Sequence, residues 1–226
     1  MKKKPFYFEV KDVITQFIAA FNDVVIDRYN SSRVSKDQIK VRYVYSPKQR
    51  ALHNLMNKSQ HIKLPAVVVS IASLSRDESR VFNKLRGTYE VHQNAEIPKT
   101  SGSDFIPAPV PVDIKLNMSI MAKYQTDVDQ IISNFIPYAN PYIVISWKIP
   151  SDIATLTQEV RSEVLWSGDI SLEYPTDVDP NQPARITADT SFTIKAWLWP
   201  AGGTKDGPNI FYANTTLQPM SAIQYL

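Results

Sequence analysis

PVPVDIKLNMSIMAKY, residues 109–124, sets Ile114, Leu116, Met118 and Ile120 against Lys115, Asn117 and Ser119. A period of two puts the apolar side chains on one face and the polar ones on the other, so the stretch predicts a strand with one buried face. Working outward, LPAVVVSIASL at Leu64–Leu74 is continuous and β-branched, and predicts a central strand with Pro65 confined to its start. Val24–Tyr29 and Ile39–Tyr45 predict two earlier strands, Ile39, Val41, Tyr43 and Tyr45 alternating with Lys40 and Arg42. Tyr142–Ile149, Glu159–Tyr174 with a bend near Gly168, and Ile186–Leu198 supply three later ones.

Three helices complete the elements. Val10, Val13, Ile14, Phe17, Ile18 and Phe21 recur at helical spacing over about residues 10–21. Ser46 and Pro47 suit a cap and a first turn, and Ala51, Leu52, Leu55 and Met56 form an apolar stripe, predicting a helix over 47–58. Thr126 is placed to cap a third helix over 127–136, with Asp129 as its capping-box partner and Pro137 as its end. The fold class expected is α+β, a mixed, mostly antiparallel sheet flanked by these helices.

The stretch from Ser75 to Pro111 differs: Pro and small polar residues there offer little to a core, which predicts a protruding arm or long hairpin. Residues 201–226 show no clear period and predict an extended C-terminal tail. The expected organisation is one domain over 1–200, its arm at about 75–111, followed by that tail.

Composition narrows the function. With 25 Lys and Arg against 22 Asp and Glu, the net charge of +3 selects neither nucleic acid nor membrane. The absence of cysteine removes disulfides, thiolate metal sites and a Cys nucleophile together. Sixteen prolines against six glycines leave little material for a phosphate-cradling loop. The opening MKKKPFYFEVKDV starts like a signal peptide, but Glu9, Lys11 and Asp12 interrupt the apolar run, and no stretch reaches the length of a membrane span, so a soluble chain is expected.

No constellation of residues specifies a reaction. His53, His61 and His92 lack metal-ligand spacing, and the pairs Asp127/Asp129 and Asp177/Asp179 lack the glycine and distal Glu of a calcium loop. No serine lies in a nucleophile motif. A non-enzyme without metal or cofactor is expected. Lys2–Lys4 and Lys36 with Lys40 are short basic clusters of the kind that usually form solvated surface. Trp197 and Trp199 are read as facing opposite sides of the last strand, at least one for the core and the other available to a partner, with packing of both the favoured reading.

Several blocks together resemble the tail sheath stabiliser and completion protein family of contractile-tailed bacteriophages: VRYVYSPK at Val41–Lys48, LPAVVVSIAS at Leu64–Ser73, PVPVDIKLNMSIMAKY at Pro109–Tyr124, TDVDQIISNFIPYANP at Thr126–Pro141, and Trp197–Pro200. They span most of residues 8–200 in the family's order; Thr126 beside Asp127 and Ser133 inside the helix depart from the family pattern, and residues 201–226 show no match. The resemblance implies a tail-terminator-like fold and a homo-hexameric ring at the head-proximal end of the tail, assembled in the host cytoplasm. It implies the sheath and tube-terminator proteins as partners below and the neck and head-completion proteins above. Genomic DNA would pass through the lumen without sequence-specific binding, and no membrane is involved. The alternative is a tail-tube terminator or other head–tail connector, and a remote one is a nucleic-acid-binding assembly protein. The interface residues expected are Phe105, Ile106, Pro107 and Pro109 in the arm, Trp199, and Phe211 and Tyr212 in the tail. The arm would lie across a neighbour or add a strand to it.

Overall fold

A computed structural model describes residues 7–29, 34–56, 64–81, 87–91, 102–149, 159–175, 185–200 and 205–208. In chain order the elements are α1 (Glu9–Ala19), β1 (Val25–Tyr29), β2 (Ser35–Lys40), β3 (Arg42–Tyr45), α2 (Lys48–Met56), β4 (Ala66–Arg76), a 3-10 turn at Glu78–Arg80, β5 (Gly87–Val91), β6 (Gly102–Pro107), β7 (Val110–Ala122), α3 (Gln125–Ala139), β8 (Ile143–Lys148), β9 (Glu159–Glu173), β10 (Ile186–Leu198) and β11 (Lys205–Pro208). Six strands form one sheet in the order β3-β4-β7-β10-β9-β8. Only β3 and β4 run parallel; the other neighbours are antiparallel. The fold is α+β with a mixed, mostly antiparallel sheet and three helices, as the sequence predicted.

The central ladder follows from the alternation of β7. Ile114, Leu116, Met118 and Ile120 stand opposite Ile194, Phe192, Thr190 and Ala188 of β10. All of these apolar side chains are buried, on the face we call inner. α1 and α3 cover that face, their apolar stripes bringing Phe17, Phe21 and Phe135 onto Phe192 with ring centroids 5.2, 5.7 and 6.3 Å away. Edge-to-face aromatic contacts of this kind add to the burial of apolar area, and Phe192→Ala would cost about 3–5 kcal/mol. The opposite, outer face of the sheet is polar over its middle, with Asn117, Ser119, Asp189, Ser191 and Lys195. α2 shields one end of it, where Ala51 packs on Val68 and Met121.

Several expectations need correction. Ile39–Tyr45 is not one strand: Val41 is buried and separates β2, which pairs back on β1 as a two-stranded ribbon, from β3, which joins the main sheet. Alternation survived the break because a buried residue stands at the hinge and the pattern continues on both sides. β4 is interior but not buried throughout: Ala66–Val69 are buried, whereas Ile71 and Leu74 are exposed because β3 pairs only with the first four residues. α3 starts earlier and ends later than predicted. Tyr124, extended, precedes it with no side-chain cap, so Thr126 lies inside its first turn and Asp129 accepts from Gln125 Nε2 at 2.7 Å instead. Pro137 lies within the last turn and has no N–H to give the Ser133 carbonyl, yet the helix runs on to the buried Ala139 before Asn140 turns extended ahead of Pro141.

The predicted bend in β9 is a bulge. Trp166 stands opposite Phe192 but Ile170 opposite Thr190, so β9 holds three residues where β10 holds one. Gly168 sits there at φ +80, a conformation that L side chains rarely adopt.

Candidate assembly interface

A separate three-stranded sheet, β11-β6-β5, carries much of the expected interface. β5 and β6 pair antiparallel, Gly87 opposite Pro107 and Val91 opposite Ser103, and so form the two legs of a hairpin between the 3-10 turn and β7. Phe105, Ile106 and Pro107 belong to β6, and Pro109 is half-buried just beyond it. β11 pairs on the other edge of β6, Lys205 opposite Asp104, so a strand lies within the stretch read as a tail. Phe211 and Tyr212 lie outside the described residues, as do His61 and His92.

Trp199 is placed in the core of the subunit, 9% exposed, its ring 5.6 Å from that of Trp147. Its backbone N–H donates to Glu9 Oε1 at 3.0 Å. Burial raises the pKa of the Glu9 carboxyl, the Trp199 N–H opposes the rise and Asp12 adds to it. Trp197 stands on the outer face under the Arg80 guanidinium, 4.9 Å from its ring centroid. Residues two apart on an unbroken strand share a face; these two do not because β10 ends at Leu198, between them.

The root of the hairpin is fixed by an ionic cluster on the outer face. Asp77 accepts from Arg80 Nε at 2.7 Å and from Lys195 Nζ at 3.2 Å, and Asp113 accepts from the same two side chains at 3.0 and 2.7 Å. Hydrogen bonds from Ser79 and Arg80 hold Asp77 well below the usual carboxylate range, and Asp113 and Asp77 raise Lys195. The alternating charges hold the turn at the end of the sheet from which the hairpin departs.

Further along the same face lies a polar groove lined by Ser70, Asn117, Ser119, Asp169, Asp189 and Ser191, with Lys48 reaching in from α2. Lys48 Nζ donates to Asp189 at 2.6 Å and to Glu173 at 3.3 Å. Burial works against the charge on Lys48, but the bonds to the two carboxylates outweigh it and raise its pKa. Two carboxylates therefore hold one ammonium, and Asp169 adds a third to the groove lining.

On the inner side, α3 holds the β1–β2 ribbon. The Gln130 amide copies a strand pairing: Oε1 accepts from Asp27 N–H at 2.8 Å and Nε2 donates to Asp27 C=O at 2.8 Å. Arg28 lies 3.4 Å from the buried Asp127 carboxylate and over the Tyr124 ring, 5.1 Å from its centroid. The sequence treated Asp127 as an acid at a helix start; the arginine that pairs with it, 99 residues away, gives no sequence signal. Among the described residues no group of three or more His, Cys, Asp or Glu side chains could hold a metal ion, and no helix is long and apolar enough to cross a membrane.

The model of the T4-like virus Myoviridae tail sheath stabiliser family matches residues 6–217, which includes part of the stretch after residue 200 where the sequence alone offered no resemblance. No curated protein matches. Among solved structures, the chain is similar to one titled as an extracellular contractile injection system, PVC sheath/tube terminator in the extended state, with a TM-score of 0.45 and 10% identity. That alignment covers 98% of this chain and 66% of the other, so the chain spans just under two thirds of its length.

Proposed function

This chain belongs to the T4-like Myoviridae tail sheath stabiliser family and is a structural protein of a contractile phage tail, and from that premise we propose that it closes into a six-subunit ring at the head-proximal end. The ring caps the tube and the last sheath subunits, holds the extended sheath in place and presents a docking surface to the neck. The observation that carries this reading is the family match along nearly the whole chain. Its role is mechanical: strand edges, a hairpin and polar surfaces supply contacts, and no catalytic step is involved.

A head-to-tail ring needs two different surfaces on each subunit. The fold offers them: the outer edge of β8 and the far end of β4 are unlike and lie on opposite sides of the sheet, and each leaves backbone groups for a neighbour. The β5–β6 hairpin with Phe105, Ile106, Pro107 and Pro109 lies across an adjoining subunit, and the segment from residue 201, with Phe211 and Tyr212, extends the 1–200 domain toward sheath or neck. Trp199 supports such contacts from inside the subunit by fixing where that segment leaves. Genomic DNA passes through the lumen without sequence-specific binding, and assembly takes place in the host cytoplasm.

Native mass spectrometry across a concentration series, with negative-stain imaging of tails assembled with and without the protein, tests the proposal. Six-subunit rings and sheaths lost from tails lacking them are expected. Stable, head-competent tails assembled without the protein would sink it.

A further inference from the structure

Charge is distributed unevenly along the chain. Residues 25–42 hold Arg28, Arg33, Lys36, Lys40 and Arg42 against Asp27 and Asp37, which equals the whole excess of +3. The rest of the chain is neutral on balance. This basic segment comprises the β1–β2 ribbon and the start of β3, and β2 forms its outer edge, with Lys40 exposed. The groove on the outer face has the opposite sign, with Asp169, Asp189 and Glu173 around Lys48. The ribbon is attached through α3, which covers the inner face, so the basic element and the acidic groove belong to opposite faces of one sheet and cannot serve each other within one subunit.

We propose that the basic ribbon of one subunit docks in the acidic groove of the next copy of this chain, with Gln130 as the residue that sets the ribbon's pose. The inference rests on the ring reading and supplies its unlike, complementary surfaces. An isolated two-stranded ribbon is marginally stable in water, so a ribbon used as a contact needs an external anchor. Gln130 supplies part of that anchor beside the buried Ile26: its amide occupies both backbone groups of Asp27, as a third strand would. The Arg28 guanidinium is already committed to Asp127 and Tyr124, and Lys40 of the outer strand is exposed to face the partner. Glu173 is 70% exposed at its side chain and Asp169 is exposed, so both are accessible to an incoming cation.

Two double variants test the pairing: Lys36→Glu with Lys40→Glu reverses the ribbon, and Asp169→Lys with Glu173→Lys reverses the groove. Circular dichroism checks that each folds, and native mass spectrometry reads assembly. Each variant alone should require more than about tenfold higher concentration to assemble, because like charges then meet. Mixed in equal amounts they should form rings in which the two alternate, since each ribbon again meets a groove of opposite sign. Gln130→Ala should weaken assembly and speed amide exchange across Val25–Lys40 while the main sheet keeps its protection. Rings from the single variants at wild-type concentration, or folded variants that stay monomeric when mixed, overturn the docking but leave the ring intact. Variants that form rings yet lose the sheath place the ribbon on sheath instead and also overturn it. A wild-type chain that forms no ring, alone or on assembled tails, overturns both readings.

Discussion

Glu9 occupies a position where two effects compete. The first turn of a helix favours a carboxylate, and the Trp199 N–H favours it further, yet burial disfavours the charge and the net effect raises the pKa. Because the folded value lies above the unfolded one, the contribution of this group is full below about 4.5 and is lost as pH rises through the raised value. Glu9→Gln keeps an oxygen for the Trp199 N–H and removes the charge. It should raise the melting temperature at pH 7, with the gain shrinking toward pH 4; a gain equal at both pH values would show that desolvation of the carboxylate is not the cause. Neither Glu9 nor Gln130 was legible as a structural residue. Helical periodicity marks the apolar side of α1 and α3, but a polar side chain that bonds to backbone 190 or 103 residues away leaves no local pattern. The place of Trp199 in the core was no easier to read, because the end of β10 rather than its alternation decides where that ring goes.

At the scale of elements, legibility followed burial of one face. β7, β8 and β10 alternate cleanly because one side packs on helices; β8 and β10 were placed within a residue, while β7, read over Ile114–Ile120, begins four residues earlier at Val110. The break at Val41 was invisible because a buried residue is what either an unbroken strand or a hinge between two sheets would show. Pro137 misled in the other direction, since a helix close to its end survives the loss of one N–H bond. Gly168 was read rightly as a bend, and its geometry gives a sharp test. A Cβ there would meet no atom within 4 Å, so the cost of Gly168→Ala is that of the backbone at positive φ alone, about 1–2 kcal/mol by denaturant unfolding. Gly168→Asn should cost less, because asparagine tolerates that region better. Equal losses for the two would point to packing, not backbone, as the cause.

For the whole molecule, the division of labour we propose is between a sheet that folds by itself and surfaces that act in assembly. The core cluster is built from α1, α3, strands of the six-stranded sheet and Ile26 of β1, closed by Trp147 and Trp199, and among the described residues none of it comes from beyond Trp199. β11, by contrast, touches the rest of the chain through β6, on the hairpin sheet. A chain ending at Pro200 should therefore unfold with a stability within about 1 kcal/mol of the full chain, since no core side chain among the described residues is removed. Hydrogen exchange should separate the two regions. Protection on the β11-facing edge of β6, around Gly102–Asp104, should fall, while the β7–β10 ladder should exchange as slowly as before. If instead the shortened chain loses the main sheet, the segment after residue 200 belongs to the folding unit and the boundary proposed there is wrong. If it folds but no longer assembles, the segment acts between subunits, as an extension of a ring-forming domain requires.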